Sequence, residues 1–342
     1  MNKKIVFITI ATLVVISGIV FISFYKRIFS ENVVLTGDLY IKSTDTMDEL
    51  KKNISSFLEN GESFDWVAKQ KKFTNPKPGR YLLRKGMSNN DLVDLLRSGN
   101  QTPVKVTFNN QDTLEKFAKR ISEQIEADST QIIQAITNKT FLEKHHLNKK
   151  TVLGIFVPNR YEFYWTTSPE NFRDRMLQEY HRFWNTHRLE KAQKLNLTQK
   201  DVITLASIVQ KETAQISERP IVAGLYLNRL QKGWPLQADP TIIYCIREIK
   251  GQDFVVKRVL TTDLEIKSPF NTYKNRGLPP NLIAMPDRSA IDAVLNPAKH
   301  KYFYMCANTE KPGFHTFAKT LTQHNRNAAK YHRWMNQNGV NR

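Results

Sequence analysis

Between Ile5 and Tyr25 the chain runs for 21 residues without a formal charge, drawn mostly from Ile, Val, Phe and Leu. A helix of that length spans roughly 30 Å of hydrocarbon, at about 1.5 Å of rise per residue. Lys3 and Lys4 stand before the run, and Lys26 and Arg27 follow it. A cleaved signal peptide would carry a shorter apolar core with a small-x-small site behind it, and the sequence offers neither. The run therefore reads as an uncleaved single-pass anchor over residues 5–25, with membrane lipid as its partner. Residues 1–4 form a short tail in front of it. The near balance of basic residues leaves the orientation open. No second apolar run of this length follows, so residues 26–342 are expected on one side of the membrane.

The chain carries 51 Lys+Arg against 32 Asp+Glu, a formal net charge of +19 spread along its length. A basic surface beside a membrane attracts anionic head groups, an anionic polymer or nucleic acid. No zinc-finger spacing or RNP-like aromatic motif supports the last, and no nucleic-acid partner is expected. With 40% apolar residues the chain can bury an ordinary core, which excludes disorder as the main state. Cys245 and Cys306 stand far apart, excluding a disulfide-stapled scaffold and a Cys-rich zinc fold while leaving either one bridge or two thiols open. His145-His146 have no ligand-spaced acid and no H-E-x-x-H string occurs, so neither a metal nor a cofactor is expected.

Residues 28–50 read as a linker and a strand, with Val33, Leu35, Leu39 and Ile41 alternating, before a helix start at Thr46. Asn75-Pro76-Lys77-Pro78-Gly79 marks a turn into a short strand over Arg80–Arg84. Ser88 reads as the N-cap of a helix through Asp91–Leu96 that Gly99 ends. A similar unit recurs about 25 residues later, with Val104–Phe108 as strand and a helix from Thr113 to Ala118. Units of this size suit a compact α+β module.

The C-terminal half carries the chemistry. Thr198-Gln199-Lys200-Asp201 fits a capping box, and the helix it opens places Val202, Leu205, Ala206, Ile208 and Val209 on one stripe. Glu212 falls in the middle of that stripe, whereas Gln210 and Lys211 point elsewhere. A carboxyl held on a core-facing stripe resists ionisation, so its pKa should rise, as a general acid near neutral pH requires. The plainer alternative is a helix-end Glu that turns outward or pairs with Arg219 or Arg229. A second helix is expected at once, capped by Ser217, with Pro220 in its first turn and Gly233 as its stop. Asp239 before Pro240 reads as a turn former ahead of a strand over Ile242–Ile246. Asn271-Thr272-Tyr273 and Gly277-Leu278-Pro279-Pro280 give a rigid polar loop with an aromatic, the pairing that a sugar site uses. Tyr302–Cys306 and Gly313–Phe317 read as strands, with His315 as a lone histidine of structural kind.

The string Ala206-Ser207-Ile208-Val209-Gln210-Lys211-Glu212-Thr213 resembles the signature helix of the endolytic murein transglycosylases, the MltG/YceG-like family. Ser217-Glu218-Arg219, Asn228-Arg229-Leu230, Leu236–Thr241, Asn271-Thr272-Tyr273, Gly277–Pro280 and Gly313–Phe317 match that family in order and spacing, across roughly residues 150–335. The anchor matches as well, and the strand-helix module behind it resembles a LysM-like region. The chain departs from the family's pattern at Leu153-Gly154 and Pro158–Tyr161, so no substrate contact is carried over from that loop.

The resemblance implies an α+β protein with a transmembrane helix at 5–25 and a linker and LysM-like module at 26–103. A second small strand-helix unit follows at 104–150, and a catalytic domain at 151–342. It implies a lyase that cuts the β-1,4 bond between N-acetylmuramic acid and N-acetylglucosamine inside nascent peptidoglycan strands. The product ends in a 1,6-anhydro ring, and strand elongation stops. Its partners would be peptidoglycan glycan strands, with cell-wall synthesis proteins as further candidates. The implied location is the bacterial cell (inner) membrane, with the catalytic domain on the extracytoplasmic side. The family's catalytic carboxyl maps onto Glu212; Gln237, Asp239, Asn271 and Tyr273 are candidates to bind substrate. Two rivals remain at this level. One is a membrane-tethered wall-binding or scaffold protein without catalysis, and the other is a Ser207–Lys211 hydrolase.

Overall fold

The computed structural model, which describes residues 3–337, opens on a helix that buries nothing. This helix, α1 (Lys3–Phe29), is long and apolar enough to cross a membrane, and none of its residues is buried in protein. Its last turns meet the residues that follow. Phe24 stacks on Trp66 at 5.2 Å, the Arg27 guanidinium lies 5.9 Å from the same ring, and Asn89 Nδ2 donates to the Arg27 carbonyl at 2.9 Å.

The described residues divide into two compact units. The first takes Met1–Val106, Glu123–Ala127 and Tyr161–Ser168. After α1 it contains β1 (Gly37–Ile41), α2 (Met47–Ile54), α3 (Gly61–Gln70), β2 (Gly79–Leu83), α4 (Asn89–Ser98) and most of β3 (Val104–Phe108). β1 and β2 pair antiparallel, with Leu39 opposite Tyr81 and Tyr40 opposite Arg80. Side chains alternate across a strand, so Leu39, Ile41, Tyr81 and Leu83 go inward against Leu50, Phe64, Val67 and Leu92, while Asp38 and Tyr40 face out. Thr46 and Ser88 close capping boxes, as their side chains suggest. The strand expected from Val33 begins only at Gly37, because Val33 instead bridges to Leu58.

The second unit holds Thr107–Ser122, Asp128–Arg160 and Pro169–Arg342. It runs through α5 (Leu114–Ser122), α6 (Ser129–Ile136), α7 (Lys139–Lys144), β4 (Asn159–Phe163), α8 (Pro169–Phe183) and α9 (Thr186–Lys194). Then come α10 (Gln199–Glu212), α11 (Arg219–Gln231), α12 (Asp239–Lys250), α13 (Arg288–Leu295), β5 (Tyr304–Ala307), β6 (His315–Ala318) and α14 (Leu321–Gln337). β3 pairs with β4, which carries the last residues of the strand into the first unit, and β5 pairs antiparallel with β6. α10 is the central helix: every residue from Val202 to Val209 is buried, packed by α11, α12 and α13. The single apolar stripe read from its sequence is thus wrapped on all sides over two turns.

Several local expectations need correction. Ile242–Ile246 lies inside α12 rather than a strand, because Asp239-Pro240 starts a helix: Pro240 sits in the first turn, where no N–H is needed. Ser217 falls in a short 3-10 turn, Ile216–Glu218, and α11 starts after it at Arg219. The last two strands are shifted and shortened to Tyr304–Ala307 and His315–Ala318. Cys245 and Cys306 are both free thiols, so no bridge joins them.

Candidate active site

The capping box of Thr198 and Asp201 fixes where α10 begins, and fourteen residues later the helix ends on Glu212. Thr213 breaks it by adopting an extended backbone, its N–H still reaching the Val209 carbonyl. Glu212 is half-buried. From α11, the wholly buried Tyr226 donates its phenol O–H to Glu212 Oε2 at 3.0 Å.

Arg229 stands three residues after Tyr226, on the same face of α11. Its Nε donates to the Phe303 carbonyl at 2.7 Å, and its Nη1 to the Leu236 carbonyl at 2.8 Å and to Gln237 Oε1 at 3.1 Å. One buried guanidinium thus pins the turn between α11 and α12 to the approach of β5. Gln237 itself holds φ at +53°, a left-handed backbone that costs a non-glycine residue energy and concentrates at functional positions. Trp234 leads into this turn, 40% exposed, its ring 5.0 Å from that of Phe303.

Asp239, at the start of α12, accepts a hydrogen bond from the Tyr273 O–H at 2.5 Å. Asn271 is fully buried and its amide is spent within its own loop. Its Nδ2 donates to the carbonyls of Leu264 and Ile266, and its Oδ1 accepts from the Tyr273 N–H at 2.9 Å. Asn271 therefore shapes the loop that presents Tyr273.

Behind Glu212 lies a buried polar knot. Glu218, 3% exposed, accepts from the Thr213 hydroxyl at 3.0 Å and from the His315 backbone N–H at 2.7 Å, and its Oε2 lies 2.8 Å from His315 Nδ1. Arg219, the next residue, is held by both carboxylate oxygens of Asp287 at 2.8 Å.

The electrostatics single out one group. Loss of hydration lifts the Glu212 carboxyl from 4.5 to about 7. His315, the Tyr226 hydrogen bond and Arg229 pull the other way, while the Asp239 charge adds to the rise. Burial pushes the phenols of Tyr226 and Tyr273 up, with the neighbouring Glu212 and Asp239 acting in the same direction. Both phenols therefore stay protonated donors. Glu212 is left as an acid that is about half protonated at neutral pH. Among the described residues no three His, Cys, Asp or Glu side chains gather as a metal site.

Of the residues singled out in the sequence, Glu212, Asp239 and Tyr273 come together with electrostatic contact among them, and Gln237 joins through Arg229. Asn271 stays inside its loop. Tyr226 was read only as a helix residue; Arg229 was weighed as an ion-pair partner of Glu212, and Glu218, Arg229 and His315 stood within the family's motifs without a role in the site. A buried Tyr or Arg needs a polar partner; that rule and the motif matches were the available signals. The Ser207–Lys211 pair is excluded as a nucleophile and base. Ser207 is sealed in the core between the Thr204 carbonyl and the Ile283 N–H, and Lys211 is paired with Asp112.

This arrangement lies within the stretch, residues 39–330, that matches the YceG-like family. The chain is a member of that family. Its relatives carry a consistent name. The endolytic murein transglycosylase of Bacillus subtilis (strain 168) is 31% identical over 298 residues, covering 82% of this chain and 80% of that protein. The endolytic murein transglycosylase of Streptococcus pneumoniae serotype 2 (strain D39 / NCTC 7466) is 29% identical over 304 residues, covering 81% of this chain. The chain spans only 54% of that longer relative. A yceG-like protein of Listeria monocytogenes, known from its crystal structure, superposes with a TM-score of 0.57 at 26% identity, covering 85% of this chain and 98% of that one. Family membership thus rests on most of the chain, and the Glu212 helix lies well within the matched YceG-like stretch.

Proposed function

We propose that this YceG-like protein is a membrane-anchored lytic transglycosylase that cuts the β-1,4 bond between N-acetylmuramic acid and N-acetylglucosamine within peptidoglycan strands. The observation that carries the reading is Glu212: a half-buried glutamate whose carboxyl has a pKa of about 7, tethered by a protonated phenol. Its carboxylate neighbours are otherwise engaged, Asp239 with Tyr273 and Glu218 with Thr213 and His315.

Two proton transfers complete the reaction. Protonated Glu212 gives its proton to the glycosidic oxygen as the C1–O bond breaks, releasing the 4-hydroxyl of N-acetylglucosamine. The Glu212 carboxylate, now stabilised by the Tyr226 O–H, takes the proton from the muramyl 6-hydroxyl as O6 bonds to C1. No water is consumed and Glu212 ends protonated, ready for another cycle. Hydrolytic glycosidases use a second carboxylate to provide a nucleophile or activate water; an internal hydroxyl lessens that need. Asp239, braced by Tyr273, supplies negative charge for the oxocarbenium-like centre. Gln237 supplies amide groups for an N-acetyl substituent, and Trp234 a ring face for a sugar. Asn271 acts through its loop, by holding Tyr273.

The relatives' names, the apolar α1 and the strand-helix-helix-strand order of the first unit support the remaining parts of the reading. These are an extracytoplasmic catalytic unit on the cell membrane, a LysM-like first module, and termination of strand growth beside cell-wall synthesis proteins. The test is to incubate the detergent-solubilised full chain with purified glycan strands and weigh the products. Internal fragments with anhydro ends are expected, and Glu212→Gln should lower their rate by at least about 100-fold, the low end for a general acid. Fragments heavier by one water would mean a hydrolase; intact strands would mean a binding protein.

A further inference from the structure

A concave surface lies in the first unit, on the outer face of the β1–β2 sheet. It is an open groove of about 690 Å³, within the roughly 300–1,000 Å³ of small-molecule sites. Asp38, Tyr40, Arg80, Lys105, Glu123 and Trp165 line it. Three separate pieces of chain are needed to build it: the sheet with β3, and the two segments that return to this unit at Glu123–Ala127 and Tyr161–Ser168.

The wall is preorganised. Trp165 is placed by a hydrogen bond from the Glu126 N–H to its carbonyl at 2.8 Å. The Glu126 carboxylate in turn accepts from the N–H and hydroxyl of Ser43, just past β1. Arg80 is aimed by Asp38 at 2.8 Å and by the Pro103 carbonyl at 2.7 Å. Tyr40 meets Trp165 edge to face at 5.1 Å and is still 40% exposed. Lys105 is exposed beside them and enters no ion pair among the described residues.

We propose that this groove is a non-catalytic subsite for a murein strand. The exposed Tyr40 and the half-buried Trp165 beside it take the apolar face of one amino-sugar ring, and Lys105 takes a carboxylate of the stem peptide. Aromatic rings with a polar tip suit a ligand that is greasy on one face and hydroxylated at its edge. The carboxylates of Asp38 and Glu123 accept hydrogen bonds from sugar hydroxyls, and they repel the phosphates that a nucleic acid would bring to the same rings. The site stands on the face of the sheet opposite the helices α2 and α3, so it belongs to the whole first unit and not to the strand-helix-helix-strand module alone. It rests on the murein reading of the second unit, since that reading names the polymer.

The experiment uses the full chain carrying Glu212→Gln, so that binding is measured without cutting, with purified uncross-linked strands that retain or lack their stem peptides. Trp165→Ala is expected to weaken binding of both strands by about three- to tenfold, the range of one aromatic contact. Lys105→Glu, at an exposed strand position, should weaken only the strands that retain peptides. Unchanged affinity in the Lys105→Glu protein together with unchanged affinity in Trp165→Ala would overturn the subsite. So would displacement of bound strands by single-stranded DNA. If the parent chain cuts strands while these variants bind as before, this inference alone falls. If the parent neither cuts nor binds murein, the murein reading falls with it.

Discussion

At the scale of single residues, the site is governed by where Glu212 holds its proton. Catalysis needs the acid form, so kcat/KM should hold below pH 7 and fall as pH rises through the Glu212 pKa of about 7. The neighbours set the position of that limb in opposite senses. Tyr226→Phe removes a hydrogen bond that favours the carboxylate, and the limb should move to higher pH. Asp239→Asn removes a charge that opposes ionisation, and the limb should move to lower pH. A pH–rate profile of the two variants that moved in the same direction would remove Glu212 from the acid role. The same shift has a thermodynamic face. A carboxyl whose pKa is raised on folding costs stability once the unfolded chain ionises, from about pH 4.5 upward to pH 7. Glu212→Gln should therefore match the parent at pH 4 and exceed its stability at pH 8, by at most about 3 kcal/mol before solvent screening at this half-buried residue is discounted. Thermal melting at the two pH values reads this directly. Glu212 was legible in the sequence because its spacing from Leu205 and Val209 put an acid among apolar residues. Its contacts were not, since Tyr226, Asp239, Tyr273 and His315 come from separate elements that no periodicity connects; Asp239 and Tyr273 were singled out only through the family's motifs.

At the scale of elements, helix starts were readable and helix-strand identity was less so. Capping residues act on N–H groups within three positions, so Thr46, Ser88 and Thr198 marked their helices from local sequence alone. The run Ile242-Ile243-Tyr244-Cys245-Ile246 carries strand-forming side chains, yet packing against α10 holds it in α12. Tertiary contact overrides propensity there. The helix that presents Tyr226 and Arg229 depends on a close approach of a similar kind. The chain at 298–302 lies across α11: the Ala298 N–H donates to the Pro220 carbonyl, and Asn228 Nδ2 donates to the carbonyls of His300 and Tyr302. A Cβ on Gly224 would stand 2.4 Å from the Ala298 carbonyl oxygen and 2.8 Å from His300 Nε2. Backbone must move to admit it. Gly224→Ala should cost roughly 1–3 kcal/mol, as overpacking does, with a Tm lower by a few degrees. Weakened strand cutting should accompany it, because the Arg229–Phe303 bond lies at the end of the same crossing segment. An unchanged Tm would show that the crossing is loose.

At the scale of the whole molecule, two properties compete to explain any attachment to a membrane: the bare apolar helix and the net charge of +19. They respond differently to salt. Phe7, Val14 and Phe21 are each at least 66% exposed, and burying such a side chain is worth about 1.5–3 kcal/mol. A spanning helix summed over its length is therefore held by an interaction that salt does not weaken. Attraction of basic residues to anionic lipid is screened to about 3 Å at 1 M salt. The full chain should stay in the membrane fraction through a 1 M salt wash and leave only with detergent. A chain lacking residues 3–25 should become soluble in the same wash. Release of the full chain by salt, or a mature protein shortened by the apolar run, would reject the anchor. Protease added to intact spheroplasts then reads the side: digestion of the second unit is expected if Glu212 works where murein strands grow. Protection of that unit would put the acid on the wrong side of the bilayer from its proposed substrate, and the function would fall however well the site's geometry fits it.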